Sequence, residues 1–302
     1  MMKFLAPMTI GDILDEAFQL TRRHLGTFAG VIAVFRVPML LLMLLTSYGL
    51  SGFLPAPAGD AILTGAFNLL SALFLYPIYM ALTARMASES FLERPISIRD
   101  GLAPLRQNWR KYLNTIFGTW LRLLGWTLLI AAAGGALGGG IAWGFQLSWE
   151  LVAIFAAVGA GLSALIAGGI KGLQWVMVTE VMAIEQISGG EARERSRVLM
   201  QKRWSRFTLL TICSGIITVV LVMTIAILPQ IPLFGVTAVF QPGQETPWIQ
   251  QAAKHIFELV AGLIVEPFGT LVIVLFYYDA RIRKEGYDLE KLAADLGQAP
   301  RA

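Results

Sequence analysis

Cysteine, histidine and charge are all scarce in this chain, and each scarcity removes a class of protein. Of 302 residues, one is cysteine and two are histidine. Cys213 has no partner for an intramolecular disulfide, and it sits in the apolar run TLLTICSGIITVV, where a small buried hydrophobe is a simpler reading than a reactive thiol. His24 and His255 fall toward opposite sides of the predicted membrane and cannot share a metal. The chain also lacks G-x-x-x-x-G-K-[ST], H-E-x-x-H, G-x-S-x-G and any paired-cysteine metal motif. No catalytic residue, cofactor or metal is therefore expected. Charged residues make up only 15% of the chain, whereas 56% is hydrophobic, and the mean hydropathy is +0.65. Soluble domains carry about 25% charged residues, because a chain of this size needs polar groups over most of its surface. The surplus apolar area must face lipid. Disorder, a collagenous repeat and a disulfide-stapled secreted domain are excluded.

Long apolar runs take the place of the missing charge. They lie at about 27–50, 61–84, 116–143, 151–183, 208–236 and 250–278, each longer than the ~18 residues needed to span a bilayer. The expected fold is an all-α integral membrane protein with six transmembrane helices. Short connections rich in Pro, Gly and Ser join the spans in pairs at 51–60, 144–150 and 237–248. The start does not read as a secretory signal, since Phe4-Leu5-Ala6-Pro7 is too short for its apolar core.

The few cations are not scattered. Of 24 Lys and Arg, 20 fall in 1–25, 85–111, 185–206 and 279–302, and none falls in the three short connections. Alternate loops are basic, as the positive-inside rule requires, so both termini are expected in the cytoplasm. A net charge of +4 is thereby accounted for by topology and anionic headgroups. Nucleic acid is not an expected partner.

The basic segments also resemble one another. TIGDILDEAFQLTRRHLGT (9–27) and SIRDGLAPLRQNWRKYLNT (97–115) match at a fixed offset of 88 through Ile10/Ile98, Asp12/Asp100, Leu14/Leu102, Gln19/Gln107, Arg22/Arg110, Leu25/Leu113 and Thr27/Thr115. A weaker third copy is SGGEARERSRVLMQKRWSRF at 188–207. Each opens with a hydroxyl and an acid three places on (Thr9/Asp12, Ser97/Asp100, Ser188/Glu191), the pattern of a capping box. In the first copy Ile10, Ile13, Leu14, Ala17, Phe18 and Leu25 share one helical face, so an amphipathic helix lying in the membrane interface is predicted. In the second, Pro104 predicts a helix restarting with proline in its first turn. The expected organisation is one membrane domain, 1–302, of three parallel repeats (8–87, 96–184 and 187–286), each an interfacial helix plus a transmembrane hairpin, with no soluble domain.

Charges inside apolar runs are candidate functional groups, because a charge at mid-bilayer costs about 2.5–3.5 kcal/mol on insertion scales. Arg122 can snorkel, Lys254 and Glu258 can pair at i,i+4, Lys171 marks an interface, and Glu180 continues its helix beyond it. Arg36 and Glu266 fall at similar mid-membrane depths, each beside a proline (Pro38 and Pro267), and an intramembrane pair between first and last spans is expected. Glycines at 134, 135, 138, 139, 140 and 144 give G-x-x-x-G spacings that suit close packing of spans three and four. Pro229 and Pro232 predict a kinked end to span five. Tyr277 and Tyr278 read as interfacial aromatic anchors ahead of a charged tail, and Gly286 as the end of the last helix. Arg22, Arg23, Arg110, Lys111, Arg203, Trp204, Arg281, Arg283 and Lys284 are candidate interfacial or docking residues.

The opening TIGDILDEAFQLTRRHL, the middle EARERSRVLMQKRW and the close FYYDARIRKEGYDLE together resemble a bacterial membrane family, the glycerophosphoryl diester phosphodiesterase membrane domain. The resemblance implies the same multi-pass fold in a bacterial cytoplasmic (inner) membrane. It carries no catalytic residues onto this chain, since the family name reflects an enzyme domain to which some members are fused. Two functions fit: a non-enzymatic scaffold or accessory subunit of a membrane complex, with lipids and a protein as partners, or a carrier or lipid-handling protein using a mid-membrane polar site.

Overall fold

A computed structural model describes residues 7–49, 65, 69, 76–93, 98–235 and 248–286. Among these residues all regular structure is helical. Five stretches are long and apolar enough to cross a membrane: Ile10–Leu41, Asn108–Gly144, Trp149–Glu185, Trp204–Leu233 and Ala252–Glu285. Most of the expected second span and the connections at 51–60 and 237–247 lie outside the described residues. The chain divides into two compact units, one of residues 1–107 and 205–302, the other of residues 108–204.

The first unit begins with α1 (Ile10–Gly49). Its start is a closed capping box: the Thr9 amide donates to Asp12 Oδ2 at 2.7 Å, and the Asp12 amide donates to Thr9 Oγ1 at 3.2 Å. Helical geometry is interrupted at His24 (φ −120°, ψ 20°), so a short leading helix meets the long apolar one at a bend. The buried stripe runs through Ile13, Ala17, Leu20, Phe28, Val31 and Ile32. Phe18, expected on this stripe, is 52% exposed instead.

Two further helices complete this unit's core: α2 (Tyr76–Phe91) and the last helix, Trp248–Glu285. The last helix is the central one. In its most apolar stretch 56% of residues are buried, against 17% in α1. It ends as expected at Gly286 (φ 64°), whose amide donates to the Ile282 carbonyl at 3.1 Å.

The second unit takes up α3 (Ile98–Gly144) after a break at Asn108 (φ −121°, ψ 21°). The restart expected at Pro104 does not occur, because α3 already runs from Ile98 and contains that proline. Proline removes one backbone hydrogen bond, which a helix tolerates. The interruption falls instead at asparagine, whose side chain competes for backbone groups. A tight turn with Gln146 at φ 54° leads into α4 (Trp149–Trp175), and α5 (Val178–Glu185) and α6 (Gly189–Met200) follow. Ser196 on α6 bridges the break between α4 and α5, donating to the Gln174 carbonyl at 2.8 Å and accepting from the Met177 amide at 3.2 Å. The capping box expected at Ser188 does not form, as its hydroxyl makes no cap bond. The first amide of α6, that of Gly189, donates to Thr115 Oγ1 at 2.7 Å, so the start of this helix is tied by a tertiary contact.

α7 (Trp204–Val222) returns the chain to the first unit and passes into a π turn, Met223–Ile227. There the Leu228 amide reaches the Met223 carbonyl, five residues back, at 2.9 Å. Pro229 would clash with the carbonyl four residues before it in a regular helix, and the wider turn relieves that. The expected kink thus takes the form of a π turn and then a short helix, α8 (Gln230–Phe234); the last helix of the chain is α9 (Trp248–Glu285).

Within the second unit α3 and α4 touch through glycine. A Cβ at Gly138 would overlap the Phe155 carbonyl, and one at Gly134 would overlap both Ser163 and the Gly159 carbonyl at 2.6 Å. Outside this contact the pair presents Leu121, Leu124, Leu128, Leu129, Leu165 and Ile166 on exposed faces, as lipid contact requires. Replacing Gly134 or Gly138 by valine is expected to lower stability by about 1–3 kcal/mol through overpacking. Alanine at Gly140, where nothing lies within 4 Å, should leave it unchanged. Thermal unfolding of the purified protein in detergent measures the difference.

Candidate functional site

A heavily bonded polar group of the first unit is Asp279, in the YYDAR segment of α9. It is fully buried. Its Oδ1 accepts from the Met8 amide and from Arg283 Nε, both at 2.9 Å, and Arg206 Nη2 lies 3.2 Å from Oδ2. Both guanidinium groups also donate to the Met8 carbonyl, Arg283 at 2.8 Å. One carboxylate and two arginines therefore clamp both polar groups of a single backbone residue. The clamp joins the segment before α1 to α7 and α9. The sequence reads Asp279 as part of the charged tail at headgroup level, which its burial corrects, and gives no sign of Arg206; the i,i+4 spacing of Asp279 and Arg283 is the one signal that pointed there.

The aromatic pair beside this carboxylate is a correction. Tyr277 and Tyr278 are buried core side chains, not interfacial anchors. The hydroxyls of Tyr278 and Ser88 on α2 lie 2.5 Å apart, and that bond satisfies a phenol that would otherwise seek water. Phe91 meets the Tyr278 ring at 5.1 Å, and Phe207 on α7 meets Phe276 at the same distance.

A second polar cluster lies on α1 and α9. Arg36 Nη2 forms an ion pair and hydrogen bond with Glu266 Oε1. Gly262, one turn away, lies beside the pair: a Cβ there would make ordinary contact, 3.4 Å from Glu266 Oε1 and 3.9 Å from Arg36 Cζ. Glu258, a further turn along the same face, lies 3.9 Å from Lys254 Nζ and 3.3 Å from His255 Nδ1. Glu266 Oε2 is buried without a hydrogen-bond partner among the described residues.

The remaining intramembrane candidates lie in the second unit. Arg122 folds back to donate to the Gly118 carbonyl at 3.1 Å. Lys171 sits against two indoles, 5.3 Å from the Trp126 ring and 5.7 Å from that of Trp175. Glu180 is buried on α5, and one of its oxygens has no partner among the described residues. No group of three His, Cys, Asp or Glu among the described residues is placed to hold a metal.

The candidate docking residues divide between the units. Arg22 and Arg23 are exposed in the first, at the end of the leading helix of α1; Arg110 and Lys111 are exposed in the second. Arg110 stacks on Trp109 at 5.3 Å. Arg203 and Trp204 are half-buried where α6 gives way to α7. In the tail, Arg283 is committed to Asp279 and Arg281 to Glu285 at 3.2 Å, while Lys284 is exposed.

The ion pairs of Asp279, Glu266 and Glu185 neutralise charge. No protein-family model matches the chain, nor does any curated protein or solved structure.

Substitutions in each cluster test these roles. Asp279→Asn is expected to cost about 3 kcal/mol, since it leaves two guanidinium groups facing an uncharged amide in a buried site. The loss should appear in thermal unfolding in detergent. For the second pair, Arg36→Glu and Glu266→Arg should each destabilise the protein, and the double exchange should recover most of the loss. Additive losses in the double variant would show that the two side chains do not act as a pair.

Proposed function

We propose that this chain is a non-enzymatic, multi-pass protein of a bacterial inner membrane that serves as a scaffold or accessory subunit of a membrane complex. In this reading it has six spans in three repeats, and both ends face the cytoplasm. The observation that carries the reading is how the charges are used. Asp279, Glu266 and Glu185 each hold an arginine of the same chain, so they serve cohesion, while Arg22, Arg23, Arg110 and Lys111 stand exposed on the basic segments. Exposed cations at the interface suit anionic headgroups and the acidic surface of a protein partner. The resemblance to the glycerophosphoryl diester phosphodiesterase membrane domain agrees with a membrane role separate from the fused enzyme.

Carrier or lipid-handling activity is the second reading, favoured by Glu266 Oε2, buried beside Arg36 without a hydrogen-bond partner among the described residues. One experiment separates the two. Photo-crosslinking residues placed at Arg23 and Lys111 in native membranes should yield the same protein adduct in repeated preparations, identified by mass spectrometry. Lipid adducts alone at both positions would overturn the scaffold reading.

A further inference from the structure

The arginines of α6 are not treated alike. Arg195 Nε donates to both oxygens of Glu185, at 3.0 and 2.9 Å, and Arg197 Nη2 donates to Glu194 at 2.8 Å. Arg193 meets no carboxylate among the described residues. Its Nη1 reaches across to α3 and lies 3.5 Å from Thr119 Oγ1. Arg122, also without a carboxylate among the described residues, folds back to the carbonyl of Gly118. Residues 118 and 119 are neighbours, so both guanidinium groups end on the same turn of α3. Glycine at 118 is part of the arrangement, since a Cβ there would stand 3.0 Å from Arg122 Nη1. The nearby acids do not compensate: Glu194 is held by Arg197, and Glu191 is bonded to neither arginine.

Two cations converging without a counter-ion are unfavourable, and more so where water is partly excluded. Burial, and then the neighbouring Arg122 guanidinium, hold Arg193 below the ordinary arginine range. The hydroxyl protons here are already spent. Thr119 donates to the Thr115 carbonyl at 2.6 Å, and Thr115 to the Lys111 carbonyl at 2.7 Å. The donors left are those of the guanidinium groups, whose forked geometry matches phosphate oxygens.

We propose that Arg122 and Arg193 form a binding site for a phosphate group, supplied in the membrane by an anionic phospholipid headgroup. Depth favours this source. Arg122 lies six residues, about 9 Å at 1.5 Å per residue, beyond Ile116, where the apolar run begins, a depth from which an arginine side chain reaches the headgroups. Trp120 is exposed two residues before Arg122, as aromatic side chains are near headgroup level. Leu121 and Leu124, exposed beside Arg122, offer contact for acyl chains. A headgroup phosphate there would convert a repulsive pair into two charge-assisted contacts. The site stands independently of the scaffold reading.

The test is thermal unfolding of the purified full chain in a neutral detergent, at constant ionic strength. The additions are phosphatidylglycerol, phosphatidylcholine and inorganic phosphate. Phosphatidylglycerol should raise the midpoint well above phosphatidylcholine, and Arg122→Gln or Arg193→Gln should need about tenfold more of it for half the shift. Arg197→Gln, on the same helix but paired with Glu194, should respond like the parent. Without anion, Arg193→Gln should be at least as stable as the parent, because repulsion is removed. A shift with inorganic phosphate that both glutamine variants lose would support the site with free phosphate as its source. Equal responses to both lipids and none to phosphate in the parent chain would overturn the proposal, as would glutamine variants that respond like the parent. If neither variant folds, the comparison made on the parent chain alone decides.

Discussion

A carboxylate cannot be buried cheaply, and Asp279 is buried completely. Removing such a group from water costs several kcal/mol, recovered only when opposite charge and hydrogen bonds meet it with good geometry. Here that requirement organises the first unit. The Met8 amide, Arg206 and Arg283 must all be in place together, which sets the segment before α1 and the start of α7 against one turn of α9. The apolar contacts around it are less demanding of register: Phe207 on Phe276, and Phe91 on Tyr278, bury area without requiring one partner. The hydroxyl bond between Ser88 and Tyr278 adds α2 to the same set. Polar chemistry therefore selects the arrangement, and the apolar area buried along α9 stabilises it.

Much of this architecture was legible in the sequence, for identifiable reasons. Apolar runs, the capping box at Thr9 and Asp12, and the αL glycine at 286 are local signals, and nothing tertiary contradicts them. The contact of α3 with α4 followed from glycine spacing, because only missing side chains let two helix backbones come that close. Asp279 was hidden by its setting. A charged residue beside two tyrosines and ahead of four charges looks like the boundary between membrane and water, and nothing local shows that Arg206 and the Met8 amide, distant in sequence, enclose it. Ser188 misled in the opposite sense: its hydroxyl makes no cap bond, and the start of α6 is held through Gly189 by Thr115, some seventy residues away.

The basic segments are alike in sequence but are interrupted at different places. Aligned on Thr9, Ser97 and Ser188, the break at His24 corresponds to the one near Arg203, whereas the break at Asn108 comes one helical turn earlier. Pro104 has already cost that copy a backbone bond four residues before. The two boundaries between compact units fall at Asn108 and at the start of α7, beside the breaks at Asn108 and Arg203, so the helix breaks are where the chain changes partners. A short helix ahead of a span can associate with the element before it, as α6 does with α4 and α5, while the span that follows packs elsewhere.

The two units also treat intramembrane charge in opposite ways. Around Arg36 the acids Glu258 and Glu266 share one face of α9, with Lys254 and His255 balancing the outer one, so positive and negative charges meet within the chain. Around Arg122 two cations share one turn of α3, and no acid of the second unit is placed to balance them. An unbalanced pair inside a protein core would be a pure cost. At a surface lined by leucine and tryptophan it can be relieved from outside, since the surrounding medium itself carries phosphate. The missing acid near Arg122 and Arg193 is then consistent with the rest of the chain. Where helix meets helix the counter-ion is encoded in the sequence, and where helix meets lipid it is provided by the membrane.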